Sequence, residues 1–138
     1  MGDLFVIGSA LRDEGTSYHY YEPTRTIEAN SQMVELLSKN LQANKLPYQV
    51  VRTWTTDVFY RETSAKIKAR IDEGCRIVEM EQSTMLAVAK YRNVSYGAII
   101  YGDDDLSNDV WDSRKWRSRD DIRYNLCMLM KEALNKLQ

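Results

Sequence analysis

Two glutamates bracket a methionine, Glu79-Met80-Glu81, directly after the apolar pair Ile77-Val78 and just before a run with helical spacing. Carboxylates are costly to bury, so a pair of them at the carboxyl end of a core strand suggests a site. The competing reading is a solvated strand end, with Glu81 favouring the positive start of the following helix. A second acidic group follows at Gly102-Asp103-Asp104-Asp105. Crowding three carboxylates raises at least one pKa, which keeps an acid protonated nearer neutrality and able to donate a proton. The alternatives there are a polar turn or a loose divalent-cation site, although the run lacks the spacing of a calcium loop.

The elements that would position these groups follow from periodicity. Residues 2–10 (GDLFVIGSA) read as a strand, and 12–21 (RDEGTSYHYY) as a loop or bulged edge with a turn at Gly15. Asn30 suits an N-cap, and Met33, Leu37 and Leu41 mark one face of a helix ending before Pro47. Residues 49–55 (QVVRTWT) are β-branched and aromatic, hence a strand that runs on through 56–60 into a loop. Thr63 or Ser64 can cap a helix carrying Ile67 and Ile71, closed by Gly74. The Ile77-Val78 strand then feeds a helix whose buried face is expected at Met85, Val88 and Ala89. Residues 96–101 (YGAIIY) read as a second buried strand, and Ile122, Leu126, Leu129, Ala133 and Leu137 as the stripe of a last helix. Strands alternating with helices predict one α/β domain, layered αβα, with a mixed or mostly parallel sheet.

Bulk properties narrow the classes. A chain of 138 residues with 43% hydrophobic content can bury a real core, and a net charge of −1 gives no global pull toward nucleic acid or anionic membrane. No apolar run approaches a membrane span, and no signal peptide is expected, so the expected compartment is the cytoplasm. Cys75 and Cys127 are expected to be buried free thiols, and with a single histidine, His19, they cannot form an ordinary zinc site. The basic residues Arg114, Lys115, Arg117 and Arg119, interleaved with Trp111 and Trp116, have the composition of a nucleic-acid patch, but the neighbouring aspartates cancel much of that field. His19 is expected at the surface or in a structural role.

The segments TTDVFY (55–60), EGCRIVEMEQSTMLAVA (73–89) and YGAIIYGDDDLS (96–107) resemble the nucleoside phosphorylase family, the purine nucleoside and uridine phosphorylases. The opening GDLFVIGSALRDEGTSYHY is similar to the family's mid-chain segment. The Glu-Met-Glu motif, its distance from the upstream Phe-Tyr and the downstream aspartate make the likeness specific in combination.

That resemblance implies a site. Phe59 resembles the aromatic that packs on the base, Val78 and Glu79 the lining of the base and ribose region, Met80 the methionine under the sugar, and Glu81 the carboxylate holding ribose hydroxyls. These types suit those roles: an aromatic face stacks on a heterocycle, a thioether packs on a sugar's apolar face, and a carboxylate accepts two hydroxyl hydrogen bonds. Asp104 resembles the acid that protonates the leaving base, with Asp103 and Asp105 as neighbours. Arg117 fits the helper arginine in ungapped register, with Arg114, Arg119 and Arg123 competing. The implied activity is phosphorolysis of a nucleoside's N-glycosidic bond, with phosphate as co-substrate and no other cofactor. A hydrolytic nucleosidase, or a non-enzymatic chain keeping a nucleoside half-site, are the alternatives. The glutamine-and-arginine insert of uridine-specific members is missing after Tyr60, which favours the purine type. The resemblance further implies that the family's N-terminal half, with its glycine-rich phosphate loop, is not in this chain; Gly8 and Gly15 do not replace it. The strand at 2–10 is then expected to present an uncovered sheet edge, closed by further copies of the chain or by a partner.

Overall fold

The structure, a computed structural model, describes residues 3–102 and 120–135. A five-stranded sheet is assembled from β1 (Leu4–Asp13), β2 (Thr26–Glu28), β3 (Tyr48–Thr56), β4 (Cys75–Glu79) and β5 (Ile99–Tyr101). Helices α1 (Ser31–Ala43), α2 (Ser64–Asp72), α3 (Gln82–Arg92) and α4 (Asp120–Asn135) flank it, as expected for an α/β chain. The order is β2-β1-β3-β4, with β5 also on β1. β1 and β3 run parallel over their whole length, from Leu4 opposite Tyr48 to Asp13 opposite Thr56, and β4 continues the parallel set with Glu79 opposite Thr55. β2 and β5 are antiparallel to β1.

β1, like β3, is therefore an interior strand of the sheet. The expectation of an open edge at this strand is overturned: β3 takes one side, while β5 (opposite Leu4–Val6) and β2 (opposite Ser9–Leu11) share the other. Its near-continuous burial has a separate cause: helices pack on both of its faces, α3 over Ala10 and α2 over the Leu11 cluster, and a strand covered on both faces needs no polar alternation. At Gly8 a bulge shifts the register between Ile7 and Ser9, and an added Cβ would meet Val50 Cγ1 at 2.9 Å, so the close strand approach requires glycine. β1 also runs three residues beyond the predicted strand, and the expected 12–21 loop contains a 3-10 turn at Thr16–His19.

Leu4 and Val6 pack with Leu37 and Leu41 of α1 and with Leu129 and Ala133 of α4. Leu11, Trp54 and Cys75 form a second cluster against Ile67 of α2, and Ala10 and Ile27 a third under Leu86 and Ala87 of α3. Asn30 caps α1 by accepting from the Met33 N–H at 3.1 Å, and Thr63 caps α2, both as expected. Gly74, at φ +84°, ends the turn after α2 in a conformation that side chains resist.

Four expectations need correction. α3 buries Ser83, Leu86, Ala87 and Ala89 while Met85 is 48% exposed, because Ala10 and Ile27 lie under a face rotated by one residue from the predicted one. The 96–101 strand is shorter, Ile99–Tyr101, and half-buried, since it pairs only with the first residues of β1. Ile71 is exposed, leaving Ile67 as the packing residue of α2. Cys127 lies on the outer face of α4 and is exposed, whereas Cys75 is buried and its thiol is pushed up to about 11 by that burial. No helix among the described residues is long and apolar enough to cross a membrane.

Candidate functional site at the carboxyl end of the sheet

Parallel pairing brings the carboxyl ends of β1, β3 and β4 side by side, and of the groups singled out by sequence Phe59 and the Glu79-Met80-Glu81 step emerge there. In open α/β sheets this is where ligands bind. Glu79 is the last residue of β4, and Met80 and Glu81 form the step into α3. Phe59 begins a 3-10 turn, Phe59–Arg61, just beyond the end of β3. Phe59 is 54% and Met80 44% exposed, which leaves an aromatic face and a thioether open to a ligand. Val78 is half-buried and packs on the Leu11-Trp54-Cys75 cluster, so it supports the site from below.

The two glutamates divide their work. Glu79 turns inward: its Oε2 accepts from the N–H groups of Glu81 (2.7 Å) and Gln82 (2.6 Å), and its Oε1 accepts from the Thr55 hydroxyl at 2.6 Å. Thr55 Oγ1 in turn accepts from the Ser83 N–H at 2.9 Å. A helix begins with N–H groups that have no intrahelical partner, and here β3 and β4 supply the acceptors. It is thus Glu79, and not Glu81, whose carboxylate complements the positive start of α3. Burial raises the Glu79 pKa above its ordinary range, and the hydrogen bonds from Thr55, Gln82 and Glu81 only partly offset that. Glu81 is exposed, and its carboxylate makes no hydrogen bond or ion pair among the described residues.

A third carboxylate, absent from the sequence-based set, completes the arrangement. Glu14, immediately after β1, is buried; its Oε1 accepts from the hydroxyls of Ser83 (2.7 Å) and Ser17, and its Oε2 from Thr84 Oγ1 and the Ser17 N–H, each at 3.0 Å. Burial pushes its pKa up, but the bonds from Ser17, Ser83 and Thr84 prevail and hold it below the usual range. Ser17 Oγ also accepts from Arg12 Nε at 2.9 Å. Arg12, only 1% exposed, donates onward to the carbonyls of Tyr21, Glu22 and Thr24 and lies over the Tyr18 ring at 3.9 Å. The signal for Glu14 was present in E-G-T-S, an acid three residues before a backbone N–H that opens a turn. Its partners Ser83 and Thr84, 69 and 70 residues away, carried no local signal.

Asp103, Asp104, Asp105, Arg114, Arg117 and Arg119 lie outside the described residues. Gly102, which leads toward them, donates its N–H to the Asp3 carbonyl at 2.9 Å. It therefore stands at the opposite end of β1 from Glu14. Arg123 is described: its Nε donates to the Tyr101 hydroxyl at 3.1 Å, and it pairs with Asp120 at 3.1 Å, again near β5 and away from Glu81. His19 is exposed. A cavity of about 260 Å³, lined by Glu28, Asn30, Lys90, Asn93 and Tyr96, lies along the C-terminal half of α3 and is separate from the Glu79–Glu81 end. Tyr96 links the two regions through its hydroxyl on Gln82 Oε1 at 3.0 Å.

Comparison with known proteins agrees with this architecture. An uncharacterised protein of Acanthamoeba polyphaga mimivirus is 26% identical over 144 residues, covering 99% of this chain and 55% of its own. Among solved structures, AMP nucleosidase from Bacteroides thetaiotaomicron matches with a TM-score of 0.63 at 23% identity, over 73% of this chain and 45% of its own. The purine nucleoside phosphorylase of Toxoplasma gondii, in complex with immucillin-H, matches with a TM-score of 0.67 at 19% identity, over 77% and 43%. The P. knowlesi homologue of P. falciparum PNP gives 0.63 at 20%, over 72% and 42%. These likenesses are of fold, and the chain spans about half the length of each relative. The family model described as "Phosphorylase superfamily" matches residues 1–131, and the chain belongs to that superfamily.

Proposed function

We propose that the carboxyl end of β3 and β4 binds a nucleoside, and that the reaction served there is cleavage of its N-glycosidic bond, by phosphorolysis of a purine nucleoside. The observation that carries this reading is the contrast within the Glu-Met-Glu step. Glu79 is consumed in fixing the start of α3, while Glu81, two residues on, is exposed and unpaired among the described residues. A carboxylate fixed at its backbone and free at its oxygens suits a vicinal pair of ribose hydroxyls. Met80 would lie under the sugar and Phe59 against the base. In the reaction a phosphate oxygen bonds to the anomeric carbon as the carbon–nitrogen bond breaks, and the electron pair leaves with the base. Positive charge gathers on the sugar, and Glu81 orients it.

Two features bear on the reaction partner. The first-turn N–H groups of α3, the ordinary anion site of such a helix, are already taken by Glu79 and Thr55, so phosphate would need donors from elsewhere. Asp104 is proposed as the acid for the base and Arg117 as its helper. That assignment comes from the resemblance, and Gly102, the last described residue before Asp104, lies beside Asp3. Because the chain spans about half of its relatives, turnover by the isolated chain is itself part of the proposal.

The experiment is to incubate the chain with inosine in phosphate and in phosphate-free buffer and to measure free base and ribose 1-phosphate. Phosphate-dependent release of both is the expected result. Base release without phosphate would replace the phosphorylase by a nucleosidase. Binding without turnover would leave a non-catalytic nucleoside site, and absence of binding would refute the reading.

A further inference from the structure

We propose that Glu14 is the positioning residue of the ribose-binding carboxylate, holding the first turn of α3 so that Glu81 is presented in one place. The proposal rests on the assignment of Glu81 to ribose given above. The start of α3 is held from three directions: by β4 through Glu79 on the N–H groups of Glu81 and Gln82, by β3 through Thr55 on the N–H of Ser83, and by Glu14 through the side chains of Ser83 and Thr84. The first two ties fix backbone at the step itself. Glu14 supplies the only one of the three that reaches the helix through its side chains, and it comes from the far side of β3, on the turn that follows β1.

Glu14 is suited to the task because it is itself immobilised. All four of its hydrogen bonds are accepted within a buried pocket, and two come from Ser17, one from the backbone and one from the hydroxyl. The Ser17 hydroxyl is oriented in turn by Arg12, whose buried guanidinium fastens the 21–24 segment. The chain of contacts from Arg12 through Ser17 and Glu14 to Ser83 joins two segments far apart in sequence, and its last link lies two residues from Glu81. Ligand-bearing groups whose supports are removed lose affinity even when they remain chemically intact.

The test uses Glu14→Gln, Glu81→Gln and the double variant, with inosine and 2′,3′-dideoxyinosine as probes and dissociation constants as the readout. Glu14→Gln is expected to weaken inosine binding about ten- to a hundredfold. It should leave the dideoxy compound, which lacks the hydroxyls that Glu81 would hold, nearly unaffected, and should add nothing in the Glu81→Gln background. Equal losses for both probes, or a loss that persists undiminished without Glu81, would make Glu14 a general stabiliser and overturn the proposal. If Glu81→Gln binds inosine like the parent, the ribose assignment fails and the proposal with it. If Glu81→Gln loses binding while Glu14→Gln does not, the proposal alone fails. Amide hydrogen exchange of the unliganded protein gives an independent check: Glu14→Gln should speed exchange at residues 81–84, and no change there refutes the positioning role. Should Glu14→Gln not fold, Ser83→Ala combined with Thr84→Val cuts the same tie and leaves both Ser17 bonds to Glu14, and the same outcomes apply.

Discussion

The Glu79 carboxylate accepts the backbone N–H of Glu81 at 2.7 Å, so the first glutamate of the Glu-Met-Glu step is the support of the second. One carboxylate turns into the protein and ties β4 to the start of α3. The other is left at the surface with its oxygens unpaired among the described residues. Two identical side chains two positions apart have become a structural group and a candidate binding group, and substitutions should separate them.

Glu81→Gln should leave folding nearly intact, since its side chain supports nothing described. Nucleoside affinity should fall by roughly 1.5–3 kcal/mol, the range for losing a charge-assisted hydrogen bond. Isothermal titration with inosine measures it; unchanged affinity would remove Glu81 from the site.

Glu79 and Glu14 should give opposite pH signatures in stability. The folded pKa of Glu79 is raised by burial, so its contribution is fullest below the ordinary glutamate value of 4.5 and is lost as pH rises through the higher folded value. The folded pKa of Glu14 is lowered by its four donors against the effect of burial, so its contribution is full above 4.5 and is lost as pH falls through the lower folded value. Melting curves across pH for the parent, Glu79→Gln and Glu14→Gln read this directly. The deficit of Glu14→Gln relative to the parent should shrink on acidification, and the deficit of Glu79→Gln should shrink as pH rises through the raised folded value of Glu79. Parallel curves would contradict both assignments.

Thr55→Val tests the joint between β3 and α3. Thr55 Oγ1 donates to Glu79 and accepts from the Ser83 N–H. Valine matches its shape and leaves a buried N–H and a buried carboxylate oxygen short of a partner. Each such loss costs about 1–3 kcal/mol, so the melting temperature should fall by several degrees or more. A thermal shift under one degree would mean that water replaces the hydroxyl.

The sequence carried local features well and distant ones poorly. Asn30 and Thr63 are legible as caps because the N–H groups they satisfy lie three residues ahead. The stripe at Ile122, Leu129 and Ala133, with Leu126 half-buried beside it and Leu137 outside the described residues, is legible because helical spacing alone decides it. The interior place of β1 is not, since near-continuous burial looks the same whichever strands flank it, and β5 lies almost a hundred residues downstream. Met85 and Leu86 are equally apolar, so only the position of Ala10 and Ile27 beneath α3 decides which one is buried. Arg12 opens a stretch that reads as a loop or bulged edge, and only the carbonyls of the 21–24 segment converging on it account for its burial. At the site, Glu81 and Phe59 were found through the motif they share with the family, whereas Glu14 needed the fold that brings Ser83 to it.

Asp104→Asn tests the acid. If a carboxylic acid protonates the leaving base, removing it should slow purine nucleoside cleavage by about two to four orders of magnitude. A riboside of p-nitrophenol, whose leaving group departs without a proton, should be cleaved almost as by the parent, which separates loss of the acid from loss of the fold. Asp103→Asn serves as the control for register. An equal loss there, with Asp104→Asn silent, would move the role by one residue. Co-refolding Asp104→Asn with Glu81→Gln chains discriminates the source of the acid. Recovery of a substantial fraction of parental activity in the mixture would mean that the acid is supplied by a second copy. No recovery, with each single variant impaired, would mean that the acid and the ribose carboxylate belong to one chain.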